Sequence, residues 1–169
     1  TVNPFVVDTS FVSNDLSSSI QLRVQQEVEK IASVLNLKDG LVHSQFIFRD
    51  DKIWLIELTR RCPGDLYSKL IESSTGFNYT EMYVKPFIGE DIEAELLERK
   101  TLPVIRHTIT NPKIGIFDSV NFHVSLDNLS FHLLTISGDK IHPSPLGRVG
   151  VFFVNAKSCV ELGHLVDRL

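Results

Sequence analysis

Gln45 and Glu57 are the residues whose type and spacing best suit metal and phosphate chemistry. They lie in two strand-like segments, Gly40–Arg49 and Ile53–Arg61, joined by Asp50-Asp51-Lys52. A hairpin with a three-residue loop centred on Asp51 sets residues whose numbers sum to 102 opposite each other. Gln45 and Glu57 are then direct cross-strand partners on one face, ~5 Å apart at Cβ. An amide oxygen beside a carboxylate, with Arg60 and Arg61 just downstream, is a pair of hard-oxygen ligands with cationic donors at hand. That combination suits a magnesium ion and the phosphates it carries. Alternation places Arg61 on the face of Glu57 and Arg60 on the other, where Arg60 is expected as a surface charge or the partner of an acid. His43 shares the face of Gln45, although a lone strand histidine is more often structural. The competing reading of Glu57 is a solvated carboxylate on an open sheet face. Its apolar flanks, Trp54-Leu55-Ile56 and Leu58, argue for a ligand, because an unpaired charge among them is costly. For Gln45, polar decoration and ligand duty remain equally open.

The run Gly40-Leu41-Val42-His43-Ser44-Gln45-Phe46-Ile47-Phe48, followed by Trp54-Leu55-Ile56-Glu57-Leu58-Thr59-Arg60-Arg61, Pro63-Gly64-Asp65 and Ser74-Thr75-Gly76-Phe77-Asn78-Tyr79, resembles the late part of an ATP-grasp enzyme. The branch is that of biotin carboxylase and the carbamoyl-phosphate synthase large subunit. The resemblance is good over roughly residues 35–90 and thin elsewhere. It implies ATP and Mg2+ as cofactors, with Gln45, Glu57 and Thr59 as metal ligands. It also implies that Glu57, Thr59 and Arg61 bind the nucleotide, beside which His43 is a further candidate by its place on the same face, and that Arg61 is the catalytic arginine facing phosphate or the acyl group. Gln45 stands where a Glu is expected and Thr59 where an Asn is expected. An amide brings no charge, so the resemblance implies weaker metal binding here than at two carboxylates. Two functions follow. One is part of an ATP-dependent carboxylate–amine ligase that forms an acyl phosphate, with small-molecule carboxylate and amine substrates. The other is a non-catalytic binding or scaffold module of ATP-grasp descent. The ATP-grasp lysines and glycine-rich lid lie upstream of the matched part, so the chain is expected to be the C-terminal piece of a longer protein. Residues 1–169 are expected to form one domain, with 1–100 holding half of the site region and 101–169 a sheet-rich subdomain. Such a piece is expected to bind Mg-ATP feebly or not at all.

The elements that position these residues follow from periodicity. Thr1–Phe11 reads as a short strand through Phe5-Val6-Val7. Ser17-Ser18-Ser19 offers capping hydroxyls to a helix carrying Ile20, Val24, Val28, Ile31 and Leu35 at three- and four-residue steps. Asp65 caps a helix to about Ser73 that buries Leu66, Leu70 and Ile71, and Gly76 ends it. Tyr79–Ile88 is a further helix bent or shortened by Pro86, and an acidic helical patch spans Asp91–Arg99. Strands follow at Leu102–Thr110, Gly115–Val124, Leu129–Ser137 and Val149–Val154, with turns at Asn111-Pro112, Asp127-Asn128 and Gly138-Asp139. Ser158 caps a last helix. The fold class is α+β, an antiparallel sheet flanked by helices, like the C-terminal lobe of an ATP-grasp domain.

Composition excludes several other functions. A chain of 169 residues with 43% apolar content can bury a core, and a net charge of −4 lacks the footprint of a nucleic-acid binder. No apolar run crosses a bilayer, so no membrane partner is expected. Cys62 and Cys159 give neither a disulfide framework nor zinc spacing, which favours the cytoplasm. Six histidines are scattered without metal spacing, and no histidine near Cys62 activates it as a nucleophile. No P-loop, dinucleotide fingerprint or Gly-x-Ser-x-Gly elbow is present, and Gly147-Arg148-Val149-Gly150 reads as a turn. The apolar strands Phe131–Leu134 and Val151–Val154 are either core or the seam of a homodimer.

Overall fold

The computed structural model describes residues 6–13, 16–92, 101–122 and 129–166. Its centre is a four-stranded antiparallel sheet in the order β1(Thr9–Phe11), β4(Val104–Ile109), β8(Gly150–Asn155), β6(Leu129–Leu133). Val151–Val154 is buried between two neighbours and is core, whereas Leu133 and Leu134 lie exposed near the β6 edge. The expected strand at Phe5-Val6-Val7 does not form in its described part. Val6 and Val7 precede the strand, which is the more polar Thr9-Ser10-Phe11. Its side chains find partners there, Thr9 Oγ1 at 2.7 Å from His107 Nδ1 and Ser10 Oγ at 2.8 Å from Tyr67 Oη. Such polar satisfaction outweighs the apolarity of Val6-Val7.

Pairing registers assign the two sheet faces. Val104, Arg106, Thr108, Val151 and Phe153 point one way, toward α2(Tyr67–Thr75), where Leu70 packs on Val104, Val151 and Phe153. Ile105 points the other way, with Ala156, toward Leu162 of α4(Cys159–Val166). Burying a residue such as Leu70 contributes about 1.5–3 kcal/mol. Ser158 caps α4 as expected, accepting from the Glu161 N–H at 3.2 Å. A ribbon of β5(Gly115–Ile116) and β7(Lys140–Ile141) closes one end over Phe117, Ile141 and Val149. The long strand expected at Gly115–Val124 is thus two residues in its described part, and β7 was not foreseen. The acidic patch beyond Ile92, His123, the end of the strand expected at Gly115–Val124 and the Asp127-Asn128 turn lie outside the described residues.

Helix α1(Ser18–Val34) starts where the serines predict, with Ser17 Oγ accepting from the Ile20 N–H. Ile20, Val24, Val28 and Ile31 are half-buried, and Leu35 lies past the helix end and is exposed. Helix α3(Tyr79–Val84) gives way to a 3-10 turn at Lys85–Ile88, because Pro86 supplies no N–H to continue it. The hairpin of β2(His43–Arg49) and β3(Lys52–Thr59) forms its own two-stranded sheet. Arg23 of α1 holds its tip, donating to the Asp51 carboxylate at 2.9 Å and to its carbonyl at 2.8 Å.

Candidate functional site

The hairpin turn is tighter than expected. Arg49 pairs with Lys52, so the loop is Asp50-Asp51, and both residues have positive φ, 51° and 55°. This is the two-residue turn whose twist matches the flanking strands, and aspartate is among the few residues that tolerate it. Near the turn Phe48 faces Ile53, Ile47 faces Trp54 and Phe46 faces Leu55. Continued without change, that register would set Glu57 opposite Ser44 and away from Gln45. A bulge between Gln45 and Phe46 takes up Ile56 and restores the pairs Gln45–Glu57, Ser44–Leu58 and His43–Thr59. The three-residue loop is thus corrected to a two-residue loop plus a bulge, and the two changes cancel at Gln45 and Glu57.

Cross-strand pairing and alternation place His43, Gln45, Glu57 and Thr59 on one face. Gln45 and Glu57 are exposed, while His43 and Thr59 are half-buried. Ile47 and Trp54 continue that face toward the turn and are 53% and 57% exposed. The apolar flanks expected to bury Glu57 therefore do not, and its face is open. Strand β3 stops at Thr59, so parity alone does not carry Arg61 to this face. Its backbone N–H donates to Thr59 Oγ1 at 3.4 Å, and its Nη2 lies 4.0 Å from Glu57 Oε1.

Arg60 is neither a free surface charge nor the partner of an acid. It turns back to donate to the Lys38 carbonyl and, at 2.9 Å, to the Asp39 carbonyl. The next residue, Gly40, has φ +144°, and a Cβ there would run into the Arg60 guanidinium. The end of β3 thereby clamps the backbone leading into β2, which fixes where His43 and Gln45 stand. Among the described residues, no three His, Cys, Asp or Glu gather as a metal site. What the ribbon offers a cation is one carboxylate, one amide carbonyl and one hydroxyl. That all-oxygen set fits Mg2+, which keeps waters and phosphate oxygens for its other positions.

A second polar cluster lies where the Arg61–Leu66 loop meets the sheet. Asp65 does not cap α2. Its carboxylate pairs with Arg148, and the helix begins after Leu66, which is exposed instead of buried and provides no side-chain cap. Asp65 and Leu66 both have positive φ, 56° and 59°, conformations that cost about 1–3 kcal/mol each outside glycine. Arg106 is 1% exposed, donates from Nε to the Asp65 carbonyl at 2.6 Å, and stacks 4.6 Å from the Tyr67 ring. Its Nη1 is buried without a hydrogen-bond partner. Burial pushes its pKa down from the usual range, against the pull of Tyr67 and Asp65. Farther along α2, Lys69 Nζ sits 2.7 Å from His132 Nε2 and near the Phe153 ring. Sequence reasoning passed over this cluster. A signal was present, since Arg106 is a charge inside the otherwise apolar start of a strand, Val104-Ile105.

No family model matches the chain. Over 88 residues, 52% of its length, it is 26% identical to the carbamoyl phosphate synthase large chain of Vibrio parahaemolyticus, a stretch covering 8% of that relative. Among solved structures, 98% of the chain superposes on 43% of an L-amino acid ligase from Bacillus licheniformis, with TM-score 0.78 and 20% identity. A biotin carboxylase domain from Hydrogenobacter thermophilus, solved with MgADP and bicarbonate, matches 85% of the chain with 33% of its own length, TM-score 0.62 and 16% identity. The fold is that of the C-terminal lobe of an ATP-grasp domain. The matched parts span less than half the length of these structures and about a twelfth of that curated relative. Among the described residues, no helix is long and apolar enough to cross a membrane.

Proposed function

We propose that this chain supplies the metal- and phosphate-facing floor of an ATP-dependent carboxylate–amine ligase that acts in the cytoplasm. The observation that carries the reading is the bulged register that sets Gln45 against Glu57 on an open face, with the Arg61 guanidinium 4.0 Å from the carboxylate. Glu57, with Gln45 and Thr59, would hold Mg2+, which when bound neutralises charge on the ATP phosphates. Arg61 would direct its N–H donors at the transferring phosphoryl group. His43, behind Gln45, would shape the nucleotide side of the face.

In the first step a substrate carboxylate oxygen attacks the γ-phosphorus, the bond to the β-phosphate oxygen breaks, and ADP leaves. In the second the amine attacks the acyl carbon, inorganic phosphate departs, and the nitrogen loses a proton. Adenine contacts and a cover over the phosphates are not among the roles assigned to this chain, so in this proposal they come from elsewhere in a longer protein. The chain alone is expected to bind Mg-ATP feebly, because one wall of a cleft gives little enclosure.

A second reading rests on Gln45 and Thr59, where the ribbon offers a single carboxylate. A non-catalytic module would tolerate that loss of charge. ADP release by the full-length protein, screened against carboxylates and amines, separates the two. The ligase reading expects amine-dependent turnover that Glu57→Gln removes without unfolding the protein. Near-normal ADP release by that variant takes Glu57 out of the mechanism, and no turnover with any pair favours the module.

A further inference from the structure

We infer that Arg60 is a positioning residue for the ribbon face, because its hold on the Lys38 and Asp39 carbonyls keeps Glu57 in the bulged register opposite Gln45. The inference rests on the ligase reading for its consequence, since that reading gives this pair the metal. It starts from a mismatch of length. Strand β2 has seven residues and β3 has eight, so one residue of β3 goes without a partner, and that residue is Ile56. The turn does not select this arrangement. Its register runs unbroken from Arg49–Lys52 to Phe46–Leu55 and, continued, would bring Glu57 opposite Ser44. Something at the open end of the ribbon must hold the shifted pairs.

Arg60 stands at that end, directly after Thr59, the last residue of β3. Its Nη1 donates to the Lys38 carbonyl and its Nη2 to the Asp39 carbonyl at 2.9 Å, both in the loop that leads into β2. Two successive carbonyls suit a planar fork of N–H donors, whereas an ammonium is a single point charge. A charged donor also makes each bond stronger than a neutral one. Gly40 leaves the room for it, since a Cβ there would occupy the place of the guanidinium. The tip of the ribbon is tied as well, by Arg23 of α1 to the Asp51 carboxylate and carbonyl. With both ends fixed and the strands unequal in length, the extra residue cannot be shed and stays as a bulge.

Releasing the open end gives the ribbon a simpler ladder. A slip of one residue there pairs Ile56 with Gln45 and removes the interruption that the bulge makes. The same slip sends Glu57 and Thr59 to the face of Ser44 and Phe46, away from His43 and Gln45. Arg60 touches none of the four side chains on the ribbon face, so its contribution is to their register alone.

The test reads the register directly, in the full-length protein without metal or nucleotide. Gln45→Cys with Glu57→Cys, and separately Ser44→Cys with Glu57→Cys, are oxidised, and the bridges are located by peptide mass so that Cys62 and Cys159 are told apart. Direct cross-strand partners lie within bridging distance, and side chains on opposite faces do not. With Arg60 present the 45–57 bridge is expected, and with Arg60→Gln the 44–57 bridge. An Arg60→Gln protein that keeps the 45–57 bridge overturns the inference. Deleting Ile56 makes the strands equal, so that the turn alone sets Glu57 opposite Gln45. Arg60→Gln is expected to raise the Mg2+ concentration needed for half-maximal ADP release about tenfold, and Arg60→Gln with Ile56 deleted to restore it. A clamp that only stabilises the loop gives no such rescue, and its absence overturns the inference. Should Arg60→Gln fail to fold, deletion of Ile56 alone is expected to keep the 45–57 bridge, and loss of that bridge overturns the inference equally. Failure of the magnesium reading shows as ADP release that ignores Mg2+ in every variant, whereas failure of this one shows in the cysteine bridges.

Discussion

Gln45→Glu puts the metal reading under the most direct strain, because it changes the sign of one interaction according to whether a cation is present. Gln45 faces Glu57 directly, so the variant sets two carboxylates ~5 Å apart on an exposed face. At that distance in water the repulsion is about 0.8 kcal/mol, falling with added salt. For a chain of this size that lowers Tm by about 2–3 °C in the absence of divalent cations. With Mg2+ present the second carboxylate becomes a charged ligand, and a tenfold tighter site adds about 1.4 kcal/mol at saturation. The balance then reverses, leaving the variant about 0.6 kcal/mol more stable than the native protein. Thermal unfolding at low ionic strength, with and without Mg2+, measures both arms. A variant less stable than native under both conditions, by the same amount, would show that Gln45 and Glu57 do not share a cation. A variant unchanged under both would show that the two side chains do not approach each other.

Three further outcomes concern the loop before β2, the core and a buried histidine. Gly40→Ala introduces a Cβ into the Arg60 guanidinium at φ +144°, so it is expected to lower stability by about 1–3 kcal/mol and to loosen the loop at Lys38 and Asp39, read as faster amide exchange in residues 38–45. Leu70→Ala empties the contact between α2 and the sheet and is expected to cost about 2–5 kcal/mol in denaturant unfolding, with an unchanged m-value. His107 has its pKa pushed below its ordinary 6.5 by burial, against an upward pull from Asp8 and with a lesser downward push from Arg106. The unfolded chain therefore binds the proton more readily, so this contribution is fully present above pH 6.5 and is lost as pH falls from there toward the folded value. Tm measured from pH 8 to pH 5 is expected to fall less steeply in His107→Phe than in the native protein, and parallel curves would count against the assignment.

The hairpin and α1 were legible because their signals are local: two strand-like runs on either side of Asp50-Asp51-Lys52, a three- and four-residue step from Ile20, and a serine ahead of it. The boundaries of β1 were not, because an edge strand is chosen by what it pairs with. Thr9 and Ser10 have side-chain partners on His107 and Tyr67, 98 and 57 residues away, which no local pattern encodes. Strands β5 and β7 are two residues each, too short for alternation to register. Asp65 read as a cap because a cap needs only a short polar side chain before an apolar run. Its actual partner, Arg148, is remote in sequence, and the positive φ of Leu66 depends on tertiary context.

The site itself shows how a correct pairing can follow from an incomplete local account. Asp50-Asp51-Lys52 contains no glycine, so a loose three-residue loop was a reasonable reading, yet two aspartates reached positive φ in succession. Left alone, that tighter turn would have sent Glu57 to the far face of the ribbon, where Phe46 and Phe48 belong to the same set as Ser44. One residue of slip reverses every side chain on a strand. Ile56 absorbs the slip, at the cost of an unpaired, exposed isoleucine immediately before the carboxylate. A bulge interrupts the ladder and exposes apolar surface, and bulges cluster where a side chain must be re-aimed. Among the described residues the face it restores is open at Gln45 and Glu57, and Glu57 has Arg61 as its ion-pair partner, at 4.0 Å. The distortion restores His43, Gln45, Glu57 and Thr59 to one face, the four side chains to which the proposed function assigns the metal and the nucleotide.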